Sequence, residues 1–423
     1  MSDADELNGV LERHAPALFR CLSPLGRNAA FPKGIPFQAE QARSAEIDAT
    51  IGQLTDGAGQ PLPLPRLRAL LSGLNAKEAL LYAPVSGPAE LRRRWGLRER
   101  DLGAAPESLR TTLPFVTHGL THGISLLADL FVDDDTDVII PTPAWENYEL
   151  LVQLHQRPRI RTFPFFRDGR FNHEGLADAM AAVRRKALVI LNLPGNPSGY
   201  APHVREIEPL LQALCSGRAP AVVAVDDAYQ GWVYEDEHPR ASLFWELARR
   251  ADPETLVPIK IDGATKELAF FASRVGFLTA PLDVEAERAF ESKLKCVTRG
   301  TVGSASGPAL AAVSAVLADP DLEPAFEALR AELAGRYRAL RAALDQLSDE
   351  RVRPQPFNAA YFALLKLDPS LDAEALRLRL LHEAKVGVIA FPEDNCLRLA
   401  YCSIRGEQLP TLVERLADVL RRT

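Results

Sequence analysis

The chain is 423 residues long, 47% hydrophobic and 25% charged, with a formal net charge of −7. That length buries a large core and calls for two domains, and the composition is that of an ordinary soluble globular protein. The acidic balance argues against nucleic acid as a partner: Arg92-Arg93-Arg94 has acidic residues interleaved around it and reads as a solvated helix face.

Residues 1–60 mix short helical stretches with Gly and Pro breaks, Gly57-Ala58-Gly59 among them, and carry no sustained period. They are expected to join a small domain and help cover a site. Between 61 and 305 the pattern alternates. Short apolar runs predict strands at Pro114–Val116, Asp137–Ile140, Arg159–Phe163, Leu188–Asn192, Ala221–Val225, Val257–Ile261 and Val275–Thr279. Helical periodicity falls between them, as at Gly123–Phe131, Glu146–Leu154 and Val204–Cys215. Near-continuous apolar strands alternating with helices imply a mostly parallel, doubly wound sheet covered on both faces. Between 306 and 423 a long amphipathic helix, Leu322–Leu347, leads to strands near Ala360–Lys366 and Cys396–Ala400 and helices near Ala373–Ala384 and Gln408–Arg421. The fold class is therefore α/β, a large sheet domain with a smaller α/β domain.

Cys21, Cys215, Cys296, Cys396 and Cys402 are odd in number and form no Cys-x-x-Cys pair, which predicts neither a disulfide framework nor a zinc site. With no basic-then-apolar leader at Met1–Glu6 and no apolar run of the ~20 residues that cross a bilayer, the expected compartment is the cytoplasm, with no membrane partner.

In open parallel sheets, ligands bind beyond the carboxyl ends of the strands. Five polar signatures follow strands here: Thr117-His118-Gly119-Leu120-Thr121, Pro143-Ala144-Trp145, Asn196-Pro197-Ser198-Gly199, Asp226-Asp227-Ala228-Tyr229, and Asp262-Gly263-Ala264-Thr265-Lys266, with Arg274 eight residues on. A lysine forms an imine with an aldehyde cofactor. An arginine fork holds a phosphate, and a glycine turn opening a helix cradles one. A strand-end aspartate pairs with a pyridinium nitrogen, a tyrosine hydroxyl and an asparagine amide meet a ring oxygen, and a tryptophan stacks on the ring. Jointly they suit pyridoxal 5'-phosphate (PLP). Taken singly each has a plainer reading: Lys266 a surface charge, Arg274 an ion pair, Asp226 or its competitor Asp227 a turn cap, Trp145 a core residue. His118 and His122 lack a third ligand, so no metal is expected.

In combination these motifs resemble the fold-type I, PLP-dependent enzymes of the aspartate aminotransferase superfamily, class I/II, from about residue 45 to the C-terminus. The resemblance implies that Lys266 is the Schiff-base lysine and that Gly119, Leu120, Thr121, Trp145, Asn196, Asp226, Tyr229, Thr265 and Arg274 hold the cofactor. Tyr82, in Tyr82-Ala83-Pro84, resembles the tyrosine that reaches the cofactor phosphate of a neighbouring subunit, implying a homodimer. Arg398, in Leu397-Arg398-Leu399, resembles the arginine that grips the substrate carboxylate, beside Asn196 and Gly52. Two departures stand out. Gly263 replaces a serine that the family uses on the phosphate, with Thr265 the expected substitute, and no motif supplies a second, side-chain-reading arginine.

The implied activity is transfer of an amino group between an L-amino acid and a 2-oxo acid by a ping-pong mechanism. The same cofactor residues would serve a PLP-dependent lyase or oxidase, since fold analogy does not separate these reactions. A non-catalytic PLP-sensing regulator is a weaker third reading, because the segment before residue 45 shows no recognition helix.

Overall fold

The computed structural model describes residues 3–31, 34–74, 76–153 and 158–423. In chain order, β1 (Ile47–Asp48) lies in the N-terminal segment, followed by β2 (Phe115–Thr117), β3 (Thr136–Thr142) and β4 (Arg159–Pro164). A two-stranded hairpin, β5 (Phe166–Arg167) and β6 (Arg170–Phe171), precedes β7 (Lys186–Asn192), β8 (Ala221–Asp226), β9 (Leu256–Gly263) and β10 (Gly276–Thr279). The C-terminal part contributes β11 (Val352–Pro354), β12 (Phe362–Leu367), β13 (Val386–Gly387), β14 (Ile389–Phe391) and β15 (Cys396–Ala400).

Seven strands form the central sheet in the order β2-β10-β9-β8-β7-β3-β4. β10 is antiparallel to both of its neighbours, and every other pairing in the sheet is parallel. The reason is visible in β7 and β8, Lys186–Asn192 and Ala221–Asp226, which are buried almost throughout. Strands covered on both faces need apolar residues at every position, not at alternate ones. Each of the seven expected strands is present within a few residues. The helix expected at Glu146–Leu154 is Asn147–Gln153, and Leu154 lies outside the described residues. The long helix is Leu322–Leu344, and Ala373–Ala384 forms as expected.

β11, β12, β15 and β14 make a separate antiparallel four-stranded sheet. β1 pairs in parallel with β13, Ile47 with Val386 and Asp48 with Gly387, so the N-terminal segment is tied to the C-terminal part. Sheet registers bring the site together. Asn192 lies beside Asp226, Asp226 beside Ile261, and Gly263 beside Gly276, which in turn faces Thr117. The last residues of β2, β7, β8 and β9 and the first of β10 thus share one edge. Among the described residues no helix is long and apolar enough to cross a membrane, and all five cysteines are free.

Candidate active site

A cavity of 230 Å³ opens at that edge. β9 ends at Gly263 and a single helical turn, Ala264–Glu267, carries Lys266 into it. The Lys266 Nζ lies 5.1 Å from the centre of the Tyr229 ring. Although Lys266 keeps part of its surface open to the cavity, burial pushes its amine down to about 8; Asp226 opposes the shift, and Arg274 and Arg398 add to it. An amine so placed is still mostly charged at pH 7, but its neutral, nucleophilic fraction, about a tenth, is a few hundred times that of an ordinary lysine.

β8 delivers Asp226, 2% exposed, to the same cavity. Strand alternation sends Asp227 to the opposite face, where it accepts from Ser242 Oγ at 2.5 Å, so that of the two aspartates only Asp226 lines this cavity. One Asp226 carboxylate oxygen accepts from the Tyr148 hydroxyl at 2.5 Å and the other from the Ala228 N–H at 3.0 Å. Burial raises the Asp226 carboxyl, while those two bonds and the charges of Lys266 and Lys260 pull it back. Burial, reinforced by Asp226, drives the Tyr148 phenol far up, which keeps it a donor.

Gly119 precedes the helix Leu120–Phe131 with φ +80°, and a Cβ there would sit 2.7 Å from Arg274 Nη2. Glycine therefore lets the guanidinium lie against a helix N-terminus, a ready-made anion cradle. Leu120, Thr121, Thr265 and Arg274 line the cavity beside it, and the Thr265 Oγ1 is buried with no hydrogen-bond partner. The glycine at 263 has a packing cause. A Cβ there would lie 2.5 Å from the Val275 carbonyl oxygen and 2.7 Å from the Gly276 Cα, so a serine does not fit and a hydroxyl must come from elsewhere.

Opposite the cradle, Arg398 is 2% exposed and donates to the Thr50 carbonyl at 2.6 Å and to Asn196 Oδ1 at 2.8 Å. Burial pulls its guanidinium down to about 10, still a cation at neutral pH, and its Nε has no partner. With the Asn196 oxygen occupied by Arg398, its amide NH₂ is the group left for a ligand. Gly52 packs on Phe362, whose ring would be 2.6 Å from an added Cβ, and Trp145 stands edge-on to Tyr148 with ring centres 5.5 Å apart.

Lys266, Asp226, Tyr229, Asn196, Trp145, Arg274, Thr265, Leu120, Thr121, Gly52 and Arg398 thus line one cavity, and Gly119 abuts it through Arg274. Tyr82 does not: it is 99% exposed and forms no part of the lining of this chain's own cavity. His118 and His122 interact with each other, the His122 Nδ1 accepting from the His118 N–H at 3.0 Å, and burial pushes His122 down to about 4. Sequence reading missed Tyr148, Asn192 and Ile35, which also line the cavity. Tyr148 carried a usable signal, an aromatic three residues after Trp145; Ile35, in a segment without periodicity, carried none.

The arrangement offers an amine that is readily neutral, a desolvated carboxylate facing a cavity, an anion cradle with an unpartnered hydroxyl, and a cationic fork at the far wall. The chain is also similar to known proteins over most of its length. A family model described as aminotransferase class I and II matches residues 46–416. An aspartate aminotransferase of Pyrococcus abyssi is 26% identical over 362 residues, covering 82% of this chain and 87% of that protein. An aromatic-amino-acid aminotransferase of Thermococcus litoralis is 23% identical over 362 residues, with the same shares of the two chains. Among solved structures, an aminotransferase from Anaerococcus prevotii superposes with a TM-score of 0.82 at 19% identity, covering 94% of this chain and 99% of that one. A kynurenine aminotransferase of Pyrococcus horikoshii superposes at 0.80 with 16% identity, covering 96% and 98%.

Proposed function

The chain belongs to the aminotransferase class I and II family, and on that premise we propose that Lys266 anchors PLP and that the cavity moves an amino group between an L-amino acid and a 2-oxo acid. The observation that carries this reading is the meeting of Lys266, Asp226 and Arg274 around one cavity from three separate segments. When bound, PLP supplies an aldehyde for the amine and a protonated ring that takes up the electron pair left when the substrate Cα loses a proton. The rest is work for side chains of this protein.

Asp226, desolvated and fixed by Tyr148 and Ala228, would hold the ring nitrogen through its carboxylate. Tyr229 and the Asn196 amide would serve the ring oxygen, Trp145 the ring face, and Arg274, Thr265 and the residues 119–121 the phosphate. Arg398 binds the substrate carboxylate, with Gly52 leaving room beside Phe362. The released Lys266 amine, its pKa pushed down to about 8, takes the proton from the substrate Cα, a role that needs a base titrating close to the working pH.

In the test, sodium borohydride is added to the protein loaded with PLP, and a pyridoxyl group is expected on Lys266 by peptide mass spectrometry. Lys266→Ala should lose both the adduct and turnover. A pyridoxyl group at another lysine, or turnover unchanged in Lys266→Ala, would remove the basis of this assignment. An amino donor alone should give one half-turnover and no ammonia; steady ammonia release without a 2-oxo acceptor would instead favour the lyase or oxidase reading.

We also propose a homodimer in which Tyr82 reaches the phosphate site of the partner subunit. Its support is the exposure of three consecutive large side chains, Leu80, Leu81 and Tyr82, at 79%, 61% and 99%. The division into residues 1–60, 61–305 and 306–423 draws support from the β1–β13 pairing and from the separate four-stranded sheet. Five unpaired cysteines accord with a cytoplasmic setting.

A further inference from the structure

Behind the sheet edge, on the face opposite the cavity, lies a second set of ionisable groups that the reaction does not use. Lys260 and Asp262 point to the same side of β9, and Lys260 is 1% exposed. Its Nζ is 3.0 Å from Glu99, 3.1 Å from Asp227 and in contact with Asp262. Glu99, on the helix Ala89–Leu102, also meets Arg98 at 2.9 Å, and Arg98 meets Glu267 at 2.9 Å. Glu323, from the long helix Leu322–Leu344, reaches Arg98 at 3.1 Å, and Ser242, at the start of the helix Leu243–Arg250, bonds Asp227. Glu99, Asp262 and Glu267 lie close enough to share a cation, and the cations they meet are Lys260 and Arg98.

Two members of this set are chain neighbours of site residues: Asp227 follows Asp226, and Glu267 follows Lys266. Lys260 is paired across the ladder with Val225, next to Asp226, and its charge helps keep Asp226 ionised. We propose that Lys260 is a positioning residue for the Asp226–Lys266 pair, tying the end of β8 through Asp227, and the lysine-bearing turn through Glu99, Arg98 and Glu267, into one buried frame. Removing one member of a buried charged cluster leaves its partners uncompensated, so such frames are rigid and sensitive to single substitutions.

The frame is also electrically unbalanced. Four buried carboxyl groups (Glu99, Asp227, Asp262 and Glu267) face two cations, Lys260 and Arg98. Burial holds Asp227 up at about 7 and Asp262 at about 6, both below the 8 of Lys266, so each is a carboxylate over the range in which Lys266 titrates. A change of charge here alters the field at Lys266 without touching the cavity.

The inference rests on Lys266 being the cofactor amine, and the test separates the two. The full-length protein, Lys260→Met and Asp227→Asn are each loaded with PLP, and the pH midpoint of the visible cofactor band is measured. Loss of a positive charge favours the protonated form at Lys266, so Lys260→Met should raise the midpoint by about half a unit or more. Asp227→Asn, nearly isosteric, removes negative charge and should lower it. A parent protein with no titrating band would sink the assignment of Lys266 itself. A parent that titrates, with both variants unmoved or both shifted the same way as simple loosening would shift them, overturns the role of Lys260. Should Lys260→Met fail to fold, Asp227→Asn decides alone: a lower midpoint supports the frame, and an unchanged or higher one overturns it.

Discussion

Lys266 is where stability and reactivity pull in opposite directions. Its amine is held at about 8 against an ordinary 10.5, so below pH 8 the folded protein carries a buried charge that the unfolded chain exposes to water. A depressed lysine penalises folding fully at neutral pH, and the penalty fades as the pH rises from 8 to 10.5, where only the unfolded chain still holds the proton. The shift corresponds to about 3 kcal/mol. The cofactor-free Lys266→Met variant is therefore expected to be more stable than the parent by up to that amount at pH 7, with the difference shrinking by pH 10, as read from urea melts at the two pH values. A gain that does not depend on pH would assign the effect to packing. Tyr148 makes the complementary case, a residue with no part in bond making. Its hydroxyl gives Asp226 a bond of 2.5 Å, and a hydrogen bond to a buried charge contributes about 2 kcal/mol. Tyr148→Phe should lower kcat/KM roughly tenfold or more while leaving the secondary structure unchanged by circular dichroism.

Elements place these residues, and the elements were the most legible part of the sequence. β7 and β8 are apolar almost without interruption because both faces are covered, and they end on Asn192 and Asp226, which line the cavity, while β9 ends at Gly263 just before the turn that carries Lys266. Strand alternation separated Asp226 from Asp227 onto opposite faces, and the structure places Asp226 on the cavity side. It said nothing of the frame behind them, because Lys260 and Asp262 read as breaks in an apolar strand until Glu99 and Arg98 arrive from a helix more than 150 residues away. Tyr148 offered a local aromatic signal, but its link to Asp226, 78 residues further on, did not show in the sequence. The Gly119 turn is where a local rule and a long-range contact coincide. Its φ of +80° disfavours any side chain, and a Cβ would also press on Arg274 Nη2 at 2.7 Å. Gly169 has a similar φ of +74° with nothing within 4 Å. Both glycine-to-alanine variants should lose about 1 kcal/mol of stability from the backbone alone. Gly119→Ala alone should also weaken PLP binding, about tenfold, in an equilibrium titration of the cofactor-free protein. Equal affinities in the two variants would detach Arg274 from the phosphate site.

At the scale of the whole molecule, the joining of the N-terminal segment, the central sheet and the C-terminal part sets what a substrate side chain meets. The reaction cavity shares walls at Ile35, Trp145 and Tyr148 with a second cavity of 530 Å³. Ile35 begins a helix of the N-terminal segment, and its N–H donates to both Glu146 oxygens at 3.0 and 3.1 Å. Beyond it the second cavity is lined by Glu146, Glu149, Glu374, Glu393 and Asp394, with no lysine, arginine or histidine among the described residues. Burial raises the carboxyls of Glu146, Glu149 and Asp394, a sign that no cation fully compensates them. The cations of the reaction cavity, Lys266, Arg274 and Arg398, all have other work in the proposed mechanism. A donor with a second carboxylate would bring an anion into this region unpaired, and an uncompensated buried charge loses several kcal/mol. Leucine or phenylalanine is therefore expected to exceed aspartate and glutamate in kcat/KM by about tenfold or more with one fixed 2-oxo acceptor, and Glu146→Gln to narrow the gap. Should aspartate prove the better donor, a cation must reach the cavity from outside this chain's described residues, and the proposed partner subunit would be the first place to look for it.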